Sequence, residues 1–321
     1  MTKMQLENYI ILKEVCKMRV ISFGDLFIDY YLNNDLVLGI CGGKTNANIL
    51  ANLSRYFDTA FFGVVGNDSQ GRVALDSLKK LGCDVSGIEI IDEKTKSFFI
   101  DNKGYSTTCP YCGRKLSYHG FKFDEEKVLN SINADDLIVV DNLNTSTLNV
   151  VNKVNNKAFL DIGYLGGLLY ISLDELVEML ANRFEIINMN ESVYKVLRKK
   201  FQIDSIDLYE LLKPKVLIIT RGKKGADIIY DGMLDEKEIE DAANEVEISG
   251  AGDAFFSEFI RTIIESNFEV NEKIISLSYM RASSISRFVV TNYGARTHLE
   301  PLYKIDNYHE CICNDIEVNN V

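Results

Sequence analysis

Short apolar runs alternate along the chain with longer segments of helical period, and this alternation limits the folds open to it. The runs of strand length, predominantly apolar, are RVISF (19–23), AFFGVV (60–65), LIVV (137–140), AFLDI (158–162), FEIIN (184–188) and KVLIIT (215–220). Such runs suit strands that are buried on both faces of a parallel sheet. Helical patterns lie between them, including the capping-box sequence SLDE at 172–175. The alternation predicts an α/β fold: a doubly wound, mostly parallel sheet flanked by helices.

Two segments interrupt this rhythm. Residues 29–41 and the region from 92 to 123 have strand-like patterns without a crossover helix. Parallel neighbours need such a crossover, whereas a small sheet built from hairpins does not. We therefore expect these segments to pair as a small β lid subdomain that projects from the main sheet.

The composition is that of an ordinary globular protein. Of the 321 residues, 46% are hydrophobic and 26% are charged, which allows a large buried core. The net charge of -12 argues against a nucleic-acid partner, because such partners favour a basic surface. No run reaches the roughly 18–20 apolar residues that span a bilayer. The N-terminal apolar run is a poor signal peptide, since Glu7 and Glu14 flank it, so we expect a cytoplasmic protein without a membrane partner.

The segment VEISGAGDAFFSEFI (246–260) places two glycines and an aspartate directly before a helical pattern. One interpretation is a turn followed by a helix cap. The other interpretation is catalytic. A helix N-terminus attracts anions through its unpaired N–H groups, and glycines let a phosphate approach the backbone. Asp253 could then take a proton from a hydroxyl group during phosphoryl transfer.

Other glycine-rich and polar segments are expected at the same edge of the sheet. GGKTNANILANLSRYF (42–57) is a turn that leads into a helix, and GVVGNDSQG (63–71) covers a strand end and the turn after it. Asn188 and Glu191 fall just beyond one predicted strand, and Thr220, Gly222 and Gly225 fall beyond another. Ligands of open parallel sheets bind at the carboxyl ends of the strands. The chain contains neither a P-loop motif nor a Gly-x-Gly-x-x-Gly motif after its first strand, which disfavours both of those enzyme classes.

The set GG…N, G-x-V-G-x-D-x-x-G, N-x-x-E, T-x-G-x-x-G and GAGDAF resembles the ribokinase-like, or PfkB, carbohydrate kinase family over roughly residues 18–300. The resemblance implies ATP-dependent transfer of the γ-phosphoryl group, with Mg²⁺, to a hydroxyl group of a sugar or sugar-like molecule, usually a hydroxymethyl. It also implies a ribokinase-like fold whose β lid often forms a homodimer contact. Residues 18–305 would then form the kinase domain, residues 1–17 an N-terminal extension and residues 306–321 a C-terminal tail.

The resemblance also implies roles for individual residues, taken motif by motif. They are the catalytic base Asp253; the anion hole Gly250, Ala251 and Gly252; the substrate contacts Asp29, Gly43, Lys44 and Asn48; Asn188 and Glu191, which position Mg²⁺ and phosphates through water; the nucleotide-phosphate loop with Thr220, Gly222 and Gly225; and Asn292 in NYGA (292–295), bordering adenine.

Two departures from the family pattern leave alternatives open. The family usually has Asp-Thr before GAGD and often binds a monovalent cation there, but this chain has Glu247, Ile248 and Ser249, so dependence on such a cation stays open. The turn at 42–48 carries an extra residue, so Asn46 and Asn48 compete for the substrate role, and the helix register favours Asn48. The alternative functions are a nucleoside or vitamin-precursor kinase on the same fold, or a non-catalytic ligand-binding relative.

The cysteines raise a separate hypothesis. There are seven of them, an odd number with uneven spacing, which argues against a disulfide framework. TTCPYCGRKLSYHG (107–120) has the C-P-x-C-G form of half a zinc ribbon, in which two thiolates bind one tetrahedral Zn²⁺. A structural zinc site with Cys109 and Cys112 would need further ligands, and the candidates are Cys311 and Cys313, or His119 and His309. The alternative is that these cysteines are free thiols in a lid loop and a loose tail.

Overall fold

The computed structural model describes residues 18–33, 36–101, 104–115, 122–141, 145–165, 172–240, 244–305 and 311, and the backbone of residues 306 and 317–319. The expected N-terminal extension, residues 1–17, lies outside the described residues, as do most of the expected tail and three of the zinc-ligand candidates, Cys313, His119 and His309. Within the described ranges, no helix is long and apolar enough to cross a membrane.

The strands of the described residues are, in chain order, β1 (Arg19–Asp25), β2 (Phe27–Asn33), β3 (Leu36–Gly43), β4 (Asp58–Gly66), β5 (Asp84–Ile91), β6 (Lys96–Asp101), β7 (Gly104–Ser106), β8 (Leu137–Val140), β9 (Ala158–Ile162), β10 (Ile186–Asn190), β11 (Val216–Thr220), β12 (Ala226–Tyr230), β13 (Met233–Lys237), β14 (Lys304–Asp306) and β15 (Glu317–Asn319). The helices are α1 (Thr45–Leu53), α2 (Ser69–Lys80), α3 (Glu125–Ser131), α4 (Thr145–Asn152), α5 (Leu173–Leu180), α6 (Glu191–Phe201), α7 (Ser205–Leu212), α8 (Ala251–Glu265) and α9 (Glu272–Val289).

In the part of the chain that the structure describes, the main sheet has nine strands in the order β13-β12-β11-β10-β9-β8-β1-β4-β5. The strands from β11 through β5 pair in parallel, and β12 and β13 add an antiparallel edge. Successive side chains of a strand point to opposite faces. Val20 accordingly joins a hydrophobic cluster with Phe256 of α8, and Ile21 joins a second cluster with Leu176 of α5. The sheet is buried on both faces, which confirms the predicted doubly wound architecture.

A second sheet has the order β3-β2-β6-β7 and fits the predicted lid. Only Leu26 separates β1 from β2, so this sheet continues directly from the carboxyl end of β1. β2 pairs with β6 in parallel, and the hairpin partners β3 and β7 are antiparallel. The lid strands start earlier than predicted, at Phe27, and β3 continues to Gly43. The lid therefore delivers the glycine-rich turn at 42–44 to the carboxyl edge of the main sheet.

Strand β10 differs from its prediction in a way that matters for the site. It begins at Ile186 rather than at residue 184, so Asn188 lies inside the strand and not beyond it. In the ladder, Asn188 is opposite Asp161 of β9 and Ile218 of β11. A polar side chain is tolerated at this buried position because its Nδ2 atom donates to Asp161 Oδ1 over 2.8 Å.

Candidate active site

The turn ahead of α8 has a backbone conformation that requires glycine. Gly250 caps the helix with φ of 75°, and a Cβ atom there would lie 2.5 Å from the Cα atom of Ala295. At Gly252, by contrast, a Cβ atom would meet no described atom within 4 Å. The N–H group of Ala251 donates to the backbone oxygen of Ile248 over 3.3 Å. A glycine cap has no side chain to accept from the N–H groups that follow in the first helical turn, so an anion could accept from those donors.

Asp253 lies in this first turn and contacts the asparagine that the helix register favours. Asn48 Nδ2 donates to Asp253 Oδ2 over 2.6 Å. Asn46 instead donates to the backbone carbonyl of Phe23 and is fully buried. Desolvation raises the pKa of the Asp253 carboxyl group to about 6, against the opposing effect of the Asn48 hydrogen bond. Of the two competing asparagines, Asn48 is the one that touches the proposed base.

Behind Asn48 lies a buried arginine that the sequence reading did not identify. Arg296, only 1% exposed, donates from Nε to Asn48 Oδ1 over 2.7 Å and from Nη1 to Ser77 Oγ over 2.8 Å. Its Nη2 atom donates to the backbone oxygen of Gly43 over 3.2 Å. Ser77 is in turn hydrogen-bonded to the buried Glu300. Arg296 thus fixes the amide of Asn48 so that its NH₂ group faces Asp253.

Asp29 lies on β2, beside the same network. A Cβ atom at Gly43 would be 2.4 Å from Asp29 Oδ1, so the glycine is required for this close approach. Tyr31 OH is 3.5 Å from Asp29 Oδ2 and accepts from the backbone N–H of Ala295 over 3.0 Å. Burial raises the pKa of Asp29 to about 7, while the positive charge of Arg296 lowers it. Nearby negative charge, including that of Asp253, adds to the rise.

Lys44 has a buried ammonium group that is already engaged. Its Nζ atom is 2.6 Å from Asp25 Oδ1, and Lys96 Nζ lies 3.8 Å from Asp25 Oδ2. Burial is the largest single effect on the pKa of Lys44 and lowers it. The negative charges of Asp25 and Asp141 together outweigh burial, so the pKa of Lys44 is raised above its ordinary value. The Lys44 backbone has φ of 78° in the turn.

The segment in which the chain departs from the pattern that it resembles connects three parts of the site. Glu247 Oε1 accepts from the backbone N–H of Ser249 over 2.6 Å, and Oε2 accepts from the backbone N–H of Gly294 over 3.4 Å. Tyr105 of the lid strand β7 donates to Ser249 Oγ over 2.9 Å. Glu247 thus joins the turn before α8 to the turn after α9, and Tyr105 joins the lid to both.

A buried polar pair, Asp161 of β9 and Asn188 of β10, senses the charge of Asp253. Asp161, the partner of Asn188, has a pKa well above its ordinary value, mainly because it is buried and partly because Asp253 is negatively charged. Asn188 Oδ1 is buried and has no hydrogen-bond partner among the described residues. A buried acceptor without a partner is costly, and a bound ligand with hydrogen-bond donors, such as an ordered water, would satisfy it.

The remaining predicted residues line the adjoining strand ends. Glu191 opens α6 and forms an exposed ion pair with Lys195, with 3.1 Å between Nζ and Oε1. Thr220 ends β11, and Gly222 and Gly225 have φ of 57° and 91° in the turn that follows. Asn292 lies just after α9 and donates to Thr291 Oγ1 over 3.1 Å. Thr220 lies opposite Asn190 in the ladder between β11 and β10, two residues after Asn188.

These groups fit a magnesium nucleotide. Mg²⁺ prefers oxygen ligands and retains several waters, and this edge offers the carboxylate of Glu191 and the unpartnered Oδ1 of Asn188. A Cβ atom at Gly222 would meet nothing within 4 Å among the described residues, so the loop leaves its backbone open to a phosphate. The charge of Asp253 in the turn at 250–253 acts on Asp161, the hydrogen-bond partner of Asn188.

Comparison with known proteins places this site in a family. The family described as pfkB family carbohydrate kinase matches residues 22–301, and no curated protein sequence matches the chain. Three similar solved structures each share 19% sequence identity with this chain. The Salmonella enterica aminoimidazole riboside kinase, complexed with aminoimidazole riboside and an ATP analog, has a TM-score of 0.68, and the match covers 88% of this chain and 97% of that chain. The Vibrio cholerae O395 fructokinase with fructose, ADP and calcium ion has a TM-score of 0.68 with coverages of 88% and 96%, and the Thermotoga maritima ribokinase has a TM-score of 0.66 with coverages of 87% and 95%.

The structural likeness, at these identities, concerns the fold, and it confirms the ribokinase-like architecture. The family match extends over most of the chain and includes every motif from the first strand to the turn after α9. The chain therefore belongs to the PfkB family of carbohydrate kinases, as the resemblance of its motifs indicated.

Proposed function

We propose that the protein transfers the γ-phosphoryl group of ATP to a hydroxyl group, most simply a hydroxymethyl, of a sugar or sugar-like molecule. Family membership supports a kinase of this general class. The observation that carries the proposal is Asp253, which is held by Asn48 at 2.6 Å in the first turn of α8 and has a pKa raised to about 6. Such a carboxylate is ionised at neutral pH and is more basic than an ordinary aspartate.

In the proposed reaction, Asp253 accepts the proton of the substrate hydroxyl while the hydroxyl oxygen forms a bond to the γ-phosphorus. The bond from that phosphorus to the bridging oxygen breaks, and its electron pair leaves with ADP. Negative charge on the transferred group would be stabilised at the N-terminus of α8, where Gly250, Ala251 and Gly252 form the anion hole. Arg296 acts on Asn48 and is a positioning residue in this scheme.

The acceptor would bind on the lid side of Asp253. Asp29 offers carboxylate oxygens for substrate hydroxyl groups, and Asn48 offers an amide that can both donate and accept. Gly43 leaves room beside the Asp29 carboxylate, because a Cβ atom there would lie 2.4 Å from Asp29 Oδ1. Two such groups beside the base favour a polyhydroxylated acceptor.

The nucleotide would bind on the opposite side. Thr220, Gly222 and Gly225 would contact its phosphates, and Asn292 would border the adenine. Asn188 and Glu191 would hold Mg²⁺ through water. When bound, Mg²⁺ neutralises charge on the β- and γ-phosphates.

A nucleoside kinase is the second candidate. It is favoured by the similarity to the Salmonella enterica enzyme that was crystallised with aminoimidazole riboside, because a riboside also presents a hydroxymethyl group. The two candidates differ in whether the acceptor carries a base.

The test is a screen of ATP consumption against sugars, nucleosides and vitamin precursors, followed by substitution of the base. Asp253→Asn should lower turnover by about 100-fold or more, the usual contribution of a general base, and leave ATP binding by calorimetry unchanged. The control is Glu258→Gln, on the same helix, whose carboxylate pairs with Arg261 at 2.8 Å. Turnover by Asp253→Asn at the rate of the parent protein would show that the mechanism is wrong. Phosphorylation of nucleosides alone would favour the second candidate.

A further inference from the structure

Three cysteine sulfur atoms converge just after the lid strand β7, and none of them belongs to the groups assigned to phosphoryl transfer. Among the described residues, the Sγ atoms of Cys109, Cys112 and Cys311 all lie within 4.8 Å of one another. The Sγ atoms of Cys109 and Cys311 are 3.5 Å apart, much longer than the roughly 2.05 Å of a disulfide. Thiolates that bind one tetrahedral zinc at about 2.3 Å lie about 3.8 Å apart, which the observed spacing approaches.

The first two cysteines are held in a tight turn. The backbone N–H of Gly113 donates to the oxygen of Cys109 over 3.0 Å, and the N–H of Cys109 donates to the oxygen of Arg114 over 2.9 Å. Gly113 has φ of 71°, which a residue with a side chain would adopt only with strain. This turn brings the sulfur of the exposed Cys112 back towards that of the buried Cys109.

The third cysteine comes from the other end of the chain, 202 residues away from Cys109. The preceding segment is already paired to the lid, because Tyr303 and Ile40 exchange two backbone hydrogen bonds of 2.8 and 3.0 Å. Strand β14 follows directly after Tyr303. This pairing holds Tyr303 beside the lid, and the Cys311 sulfur lies against the turn at 109–112.

We propose that Cys109, Cys112 and Cys311 bind one structural zinc ion that fixes the C-terminal segment to the lid. Sulfur ligands in this number favour zinc over magnesium or calcium, which bind oxygen. A structural zinc site takes four ligands, and Cys313, His119 and His309, which lie outside the described residues, are the candidates that the sequence offers for the fourth.

The site would also stabilise the position of the lid. The turn at 109–112 follows β7, whose Tyr105 donates to Ser249 beside the anion hole. A metal that crosslinks the lid to the C-terminal segment restricts the unfolded chain and the motion of this edge, since metal binding is coupled to folding. The zinc site itself does not depend on the proposed function, and its test needs no substrate.

The experiment measures the metal content of the full chain, purified from zinc-supplied cells through a tag that binds no metal. We expect about one zinc per chain in the parent protein and near-complete loss in Cys109→Ser, Cys112→Ser and Cys311→Ser. Cys83→Ala is the control, since Cys83 is buried elsewhere in the core, and it should retain the ion.

Two measurements keep the proposal testable if a variant fails to fold. Removal of zinc from the parent protein with a chelator should lower its Tm by about 5 °C or more, and added zinc should restore it. Replacement by Co²⁺ should produce thiolate-to-metal charge-transfer absorption. The proposal is overturned if the parent protein contains no zinc, if it contains iron instead, or if peptide mapping finds Cys109 and Cys311 joined by a disulfide.

Discussion

The raised pKa of Asp253 predicts that the proposed base destabilises the folded protein at neutral pH. Its folded-state pKa is about 6, against an ordinary value of 3.8. The folded protein therefore binds more protons than the unfolded chain between these values, and this carboxylate makes stability fall as pH rises from about 4 to about 6. Above that range, this contribution to the free energy of unfolding is fully lost. Replacing the carboxylate by a neutral amide of the same shape should recover the lost stability.

The difference between the folded and unfolded pKa values of Asp253 lowers the free energy of unfolding by about 3 kcal/mol at pH 8. The hydrogen bond from Asn48 stabilises the carboxylate more than it would stabilise an amide, so the net gain is smaller. We expect Asp253→Asn to raise the free energy of unfolding by about 1–3 kcal/mol at pH 8 and to leave it nearly unchanged at pH 4.

The assay is urea unfolding of the parent protein and Asp253→Asn across this pH range. The difference between the two proteins cancels the titration of groups that do not sense the charge of Asp253. Asp29 and Asp161 do sense it, because this charge raises their pKa values, so its removal should add to the gain in stability at pH 8. Glu258→Gln should show no comparable gain, because Glu258 is paired with Arg261. The prediction is refuted if Asp253→Asn loses the same stability at pH 4 and at pH 8. That result would show that burial of the ionised carboxylate does not destabilise the folded protein.

Three further predictions concern the groups around Asp253. Asn48→Ala removes a hydrogen bond that favours the ionised base, so the pKa of Asp253 should rise. The acid limb of the kcat/KM profile should then shift to higher pH by about 1 unit. An acid limb that stays in place or shifts to lower pH would contradict this prediction. Arg296→Lys cannot supply all three hydrogen bonds, and urea unfolding should show a loss of about 2–4 kcal/mol; full stability would show that the network is dispensable. Gly250→Ala should lose at least about 1–2 kcal/mol because of its φ of 75°. Gly252→Ala, whose Cβ atom would meet no described atom within 4 Å, should unfold at the urea concentration of the parent protein or higher.

Much of the fold could be read from the sequence because the relevant interactions are local or repeat along one element. Every one of the apolar runs used in the prediction corresponds to a strand of the main sheet, and the capping box at Ser172 and Glu175 forms as expected. The start of β10 could not be read in this way. Phe184 is apolar and extends the run, and only pairing with β9 and β11 decides that the ladder begins at Ile186 and places Asn188 inside it.

For the site, the sequence by itself located the turn before α8, since glycines, an aspartate and a helical pattern adjoin one another there. It also brought Cys109 and Cys112 together, because they lie three residues apart on one turn. The choice between Asn46 and Asn48 was narrowed by helix register, and the tertiary contact with Asp253 then distinguished them.

Only the tertiary structure revealed Arg296 and the position of Cys311. Arg296 is 248 residues from Asn48, and Cys311 is 202 residues from Cys109. No periodicity or capping pattern connects residues at such separations, because these patterns report contacts within one turn or one strand. Contacts of this range depend on the path of the whole chain, which here brings Arg296 against Asn48, Tyr303 against Ile40 and Cys311 against Cys109.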